Sequence, residues 1–156
     1  MSKFEYRTDK DILYINLSGR IDASNASEVE NSISEIRKAN EGLHTVLDAD
    51  TLEYISSAGL RIILRLRKEE SLDELASCND RDVYILWLGD KLSNMRSFYR
   101  IWKNEGDSMW QSFNQKDPEQ QFWYYSTVAE LTSPLKDFPA WQEYSELVKT
   151  VFGRNN

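Results

Sequence analysis

The segment Asp48-Ala-Asp-Thr-Leu-Glu-Tyr-Ile-Ser-Ser-Ala-Gly-Leu60 decides how the rest of the chain is read. It follows the short apolar run Leu43-His-Thr-Val-Leu47 and precedes a run of helix-forming residues, so it marks a strand handing over to a helix. At that junction stand two serines and a glycine, Ser56, Ser57 and Gly59. A helix N-terminus carries unpaired backbone N–H groups and a partial positive charge. A hydroxyl there is exposed, and a phosphate attached to it sits in a favourable field. Such a site suits a covalent charge switch better than it suits catalysis.

Upstream, Phe4 to Tyr6 alternates apolar and polar residues as a half-buried strand does. Thr8-Asp-Lys-Asp11 has turn composition, and Ile12-Leu-Tyr-Ile-Asn-Leu17 is a β-prone run that pairs with the first strand as a hairpin. Asp22-Ala-Ser-Asn25 offers several helix caps, and Ala26, Val29, Ile33 and Ile36 follow at helical spacing. Asn40-Glu-Gly42 ends that helix, and Leu43 to Leu47 is expected as a central strand. Downstream, Leu60 to Lys68 forms a second helix that carries Leu60, Ile63 and Leu64, with Ile62 and Leu66 on the shoulder of that face. Ser71 to Arg81 is polar and loop-like, Asp82-Val-Tyr-Ile-Leu-Trp-Leu88 has strand composition, and Leu92, Met95, Phe98, Tyr99 and Trp102 mark a third helix.

The expected order is therefore β-β-α-β-α-β-α over residues 1–110, an α/β domain with a mixed sheet and its helices on one face. Residues 111–156 differ in kind. They hold Phe113, Phe122, Trp123, Tyr124, Tyr125, Phe138, Trp141, Tyr144 and Phe152. After a linker-like Gln111 to Pro118, Ser126–Leu131 and Pro139–Lys149 have helical patterns, Pro139 fitting a first turn. The tail is read as an aromatic-rich helical extension, either a packing layer or a partner surface.

Composition narrows the function. A formal net charge of -7 disfavours nucleic acid and anionic membrane surfaces as partners. No apolar run reaches transmembrane length, and Met1-Ser-Lys-Phe-Glu-Tyr6 lacks the apolar core of a secretory leader. The single cysteine, Cys78, cannot form an internal disulfide. These features lead to the expectation of a cytoplasmic protein. No Cys/His cluster indicates a metal, and no glycine-rich loop indicates bound nucleotide, so no cofactor is expected.

The stretch from Ile12 to Lys68 resembles STAS domains, specifically the bacterial anti-sigma factor antagonists. Three pieces carry the resemblance: Leu17-Ser-Gly-Arg-Ile-Asp-Ala23, Val46-Leu-Asp48, and Tyr54-Ile-Ser-Ser-Ala-Gly-Leu-Arg61. What it implies is a partner switch. A serine in this loop, Ser57 by position, is phosphorylated by a kinase that is also an anti-sigma factor. The unphosphorylated form binds that kinase, the phosphorylated form releases it, and a serine phosphatase resets the cycle. The family commonly has Asp before the acceptor where this chain has Ser56, and often Ser after it where this chain has Ala58. The surface implied for partner binding comprises Asp22, Ser56, Ser57, Gly59, Leu60 and Arg61. An alternative within the resemblance is a non-catalytic STAS subunit of a transporter or lipid-trafficking complex.

Each residue also has a plainer reading. Ser56 suits an N-cap in place of the aspartate. Gly59 suits close packing against the neighbouring strand. Asp22 is either the cap of the first helix or a border of the docking surface, which Asp50 is also expected to border. Asp48 is read as fixing its loop through backbone hydrogen bonds. A serine hydrolase built on Ser57, Asp48 and His44 is a third class; His44 lies only four residues from Asp48 on a strand, and Gly-x-Ser-x-Gly is absent. The chain is therefore not expected to be an enzyme.

Overall fold

The computed structural model describes residues 4–153. The first three residues of the N-terminal stretch considered above as a leader lie outside them. The chain divides into two compact units, Met1–Glu70 and Ser71–Asn156.

The first unit is built on a three-stranded sheet in the order β1-β2-β3, with β1 at Tyr6–Asp9, β2 at Ile12–Ile21 and β3 at His44–Ile55. β1 and β2 are antiparallel, Tyr6 facing Ile15 and Asp9 facing Ile12. Their two-residue turn places Lys10 at φ 54. β2 and β3 are parallel, as two strands joined through a helix must be. That helix is α1, Ala26–Ala39, and α2 follows β3 at Ser57–Ser77.

The alternation of β2 fixes the core. Leu13, Ile15 and Leu17 point to one face and are buried, while Ile12, Tyr14 and Asn16 point to the other and are only half-buried. Val29, Ile33 and Ile36 of α1, with Ile62 and Leu66 of α2, pack on the buried face and form one aliphatic cluster with it. Both helices thus cover the same side of the sheet.

The second unit is helical. α3 spans Arg81–Glu105, a 3-10 helix Gly106–Ser112, α4 Pro118–Leu131, and α5 Pro139–Val151. Met95, Met109, Val128 and Tyr144 are fully buried at its centre. The Phe98 ring meets Trp110, Phe113 and Tyr125 edge-on at 5.4, 5.0 and 5.3 Å. The buried Tyr144 hydroxyl donates to the Tyr125 carbonyl at 2.7 Å, so this aromatic core carries its polar atoms satisfied.

Four expectations need correction. Asp82 to Leu88 is helix, not strand: the Asp80 side chain caps it by accepting from Asp82 N–H at 2.9 Å, and Leu88 begins a buried series continued by Leu92, Met95 and Phe98 at helical spacing. A continuous apolar run has no period of its own, and its neighbours decided the matter. The sheet therefore has three strands among the described residues, and β3 lies at its edge while β2 is central. Ser71 onward is not a loop, since α2 runs on to Ser77 with Leu72 and Leu75 buried. Finally, the chain divides at Glu70 and Ser71, and residues 71–110 belong with the helical unit in place of a boundary near residue 110.

Candidate functional site

β2 and β3 end side by side, with Ile21 paired to Ile55 and Ser56 N–H donating to the Ile21 carbonyl at 2.9 Å. The chain leaves β2 through Asp22 and leaves β3 through Ser56, so the two segments singled out by the sequence share the C-terminal end of a parallel strand pair. Ligand and partner sites form at such ends because the connecting loops converge there. The strand is longer than expected. β3 runs to Ile55, and only Ser56 remains between strand and helix.

Ser56 and Ser57 divide the work. The Ser56 side chain accepts from Gly59 N–H at 3.4 Å, a long N-cap bond in the position an aspartate cap would take. Ser56 is half-buried, whereas Ser57 is exposed and is the first residue of α2. Its hydroxyl therefore stands at the positive end of the helix.

Gly59 is buried, and its place is in the packing beneath the surface. A Cβ at this position would come within 2.7 Å of Ile55 Cγ1 and 2.8 Å of Ile21 Cγ2. The first turn of α2 thus lies directly against the ends of both parallel strands, and no larger residue fits without moving them. Outward from it, Leu60 is an apolar side chain at 49 % exposure, and Arg61 beside it is exposed too.

Asp22 is not the cap of α1. Asn25 takes the cap position, without a side-chain cap bond, and Asp22 orders the turn before it. One Asp22 carboxylate oxygen accepts from Ser24 N–H at 2.9 Å and from the Ser24 hydroxyl at 2.5 Å. The Ser24 hydroxyl, then its N–H, and then the nearby Arg20 charge hold the Asp22 carboxyl below the usual carboxylate range. It is a fixed negative charge at neutral pH. Asn25 was read only as a cap candidate, yet it ties this loop together: its amide donates to the Arg20 carbonyl at 2.8 Å and its oxygen accepts from Asp22 N–H at 2.9 Å. Arg20 lies over the Tyr54 ring at 4.3 Å, a cross-strand pair set by the register of the two strands. Neither arrangement has a signature in one dimension, because each depends on which residues face each other.

Asp48 and Asp50 belong elsewhere. The Asp48 carboxylate accepts from Asp50 N–H at 3.0 Å, as the loop-fixing reading expected, but both lie within β3 at an irregularity in its pairing with β2. Asp50 is five residues before the strand's end, roughly 15 Å away at the rise of an extended chain, so it does not border Ser57. His44 opens β3 at the opposite end of the strand from Ser57. Ser57, Asp48 and His44 therefore cannot form a triad.

Residues 3–74 match the STAS domain family. No curated protein and no solved structure matches the chain. STAS domains are generally non-catalytic interaction modules. No helix among the described residues is long and apolar enough to cross a membrane.

Proposed function

We propose that this STAS domain is a phosphorylation-controlled binding module of the anti-sigma factor antagonist kind, with Ser57 as the acceptor. In this reading a cytoplasmic anti-sigma factor with serine kinase activity docks on the end of the sheet, phosphorylates Ser57 and lets go. A serine phosphatase restores the docking form. The observation that carries the reading is the exposure of Ser57 at the first position of α2, beside a neighbour already committed to capping.

The physics separates binding from folding. A phosphoserine adds roughly −1.5 to −2 charge at neutral pH. At a helix N-terminus this charge is favoured by about 0.3–1 kcal/mol, so the domain tolerates it. Arg61 lies one turn along the same helix, within reach of an i, i+4 pairing with the phosphate. For a docked partner the balance is reversed. The phosphate must be stripped of water within an interface that already contains the fixed Asp22 charge, and the exposed Leu60 loses its dry contact. Unmodified, Leu60 and Arg61 supply the apolar and guanidinium contacts in which interface centres are rich.

The test is a binding titration of wild type, Ser57→Asp and Ser57→Ala against the kinase recovered from the native cell. Ser57→Asp is expected to weaken binding by about a hundredfold, equivalent to near 3 kcal/mol, with an unchanged far-ultraviolet circular dichroism spectrum. Ser57→Ala is expected to bind and to accept no phosphate. Equal binding by wild type and Ser57→Asp refutes the switch.

A further inference from the structure

We infer that β3 is a docking edge for an extended peptide with an apolar centre and a basic end. This goes beyond the phosphorylation reading and does not depend on Ser57.

Among the described residues β3 pairs with β2 and with no other strand, so its other side is a sheet edge. Successive N–H groups of a strand point to opposite edges. His44 N–H donates inward to the Asp11 carbonyl at 2.8 Å, and so Thr45 N–H points outward. There it donates to the Glu70 carboxylate at 2.8 Å. A side-chain oxygen thus occupies the position that the carbonyl of a further strand would take. The next outward N–H in this alternation belongs to Leu47.

The two halves of the strand are built differently. The register with β2 slips between Asn16 and Ser18 and again between Gly19 and Arg20, with the extra residues on β3, and the same half carries Asp48, Asp50 and Glu53. Bulges and charges are the usual means of blunting an edge. His44 to Leu47 has neither bulge nor acid. Beside this regular half lies a groove of about 300 Å³, walled by Thr45 and Leu47 of the strand and by Ile63, Leu64 and Leu66 of α2. Arg37, which is ion-paired to Glu69 at 3.1 Å, Arg67 and the Glu70 that caps Thr45 complete its rim. Leu64 is 52 % exposed, and Val46, on the opposite face of the strand, is 41 % exposed. A strand added here gains backbone bonds from the edge, one apolar side chain in the groove and another over Val46, which is the strand-addition mode of peptide recognition.

Charge selects the occupant. In a second copy of this chain, antiparallel pairing centred on the acidic half would oppose Asp48, Asp50 and Glu53 to the same residues, and like charges directly opposite are destabilising. A heterologous segment with Lys or Arg at the end that lies along Asp48 and Asp50 has the complementary sign.

The experiment follows the amide NMR spectrum of the nitrogen-labelled full chain during titration with two capped synthetic peptides, Lys-Lys-Val-Thr-Val-Thr and Val-Thr-Val-Thr-Lys-Lys, which cover both strand directions. At least one is expected to bind and to shift the amides of Thr45 to Asp48, with slowed exchange at Leu47. Replacing its lysines by glutamates should weaken it at least tenfold. Leu64→Lys, which places a cation at an exposed groove position, should do the same at unchanged melting temperature. Asp50→Lys should cost severalfold. The inference is overturned by equal binding of the lysine and glutamate peptides, by binding that leaves Thr45 to Asp48 unshifted, by failure of both lysine peptides to bind, or by a dimer in sedimentation equilibrium that excludes them, which would make a second copy the occupant.

Discussion

The two units of this chain reach stability by different means. The first buries branched aliphatic side chains, Leu13, Ile15, Leu17, Val29 and Ile33, between one sheet face and two helices. The second buries rings, with Phe98, Trp110, Tyr125 and Tyr144 in mutual contact or linked by a hydrogen bond. An aliphatic core is made by periodicity, since alternate residues of a strand and every third or fourth of a helix are enough to specify it. An aromatic core is made by geometry, since rings prefer edge contacts and phenol hydroxyls need partners when buried. The first kind leaves a plain signal in sequence and the second leaves only a composition. All five tryptophans lie in the second unit, at 87, 102, 110, 123 and 141, so their fluorescence reports on it alone.

The contrast can be attacked first at its strongest point. Tyr144→Ala removes a fully buried ring and its hydrogen bond, and should cost about 3–5 kcal/mol, read as a fall in the denaturant midpoint by tryptophan fluorescence. Hydrogen exchange at the amides of Leu13 and Ile15 should change less if the aliphatic unit is a separate cooperative body. Tyr144→Phe sharpens the same point. Burial, then the charges of Tyr125 and Tyr124, push the Tyr144 phenol far above its ordinary range. Its contribution is therefore complete below the unfolded phenol value and is lost as pH rises beyond it, and the phenylalanine variant should resist alkaline unfolding better.

Gly59→Ala tests the aliphatic unit. Helix propensity alone would favour alanine by up to about 1 kcal/mol. The crowding against Ile21 and Ile55 should outweigh that and leave a net loss of about 1–3 kcal/mol. The loss should appear in exchange at Leu13 and Ile15, and an equal loss in tryptophan fluorescence would mean that the two units unfold as one.

Two smaller effects complete the series. Ser56→Ala should cost about 0.5 kcal/mol, the low end for a cap, because the bond to Gly59 N–H is long. The least effect is expected at the surface of the aromatic unit, where Arg96 holds Glu143 in a two-pronged pair at 2.7 Å. The hydrogen bond from Arg96 lowers the Glu143 carboxyl, so its contribution is present above the unfolded carboxylate value and lost as pH falls through the folded one. In Glu143→Gln the acid limb of the thermal stability profile should be slightly flatter, and the difference should vanish at high salt.

The first 70 residues were legible to a useful degree. The hairpin, α1, the capping role of Ser56 and the close packing at Gly59 followed from alternation, spacing and residue type. The order of elements failed at Asp82 to Leu88, where β-prone residues fold as helix because Asp80 caps them and Leu92, Met95 and Phe98 continue their buried face. That failure also concealed the open edge of β3, since a fourth strand had been expected in the sheet. The exit of Asp22 beside Ser56 was expected only through resemblance, and the role of Asn25 in holding Asp22 was missed.

Sequence alone therefore determined which residues of α1 point inward, where the second helix begins, and that a hydroxyl stands there. These are local matters, governed by backbone geometry and by the neighbours one to four places away. On α2 it set Leu60, Ile63 and Leu64 inward, whereas Ile62 and Leu66 are the buried pair and Leu60 and Leu64 are exposed. The tertiary structure decided that β3 is an edge, that Asp50 lies up the strand from the site, and that the apolar run after Asp82 winds into a helix. Each of those depends on which distant residues meet, and contact energies between segments exceed the small local preferences that a sequence displays.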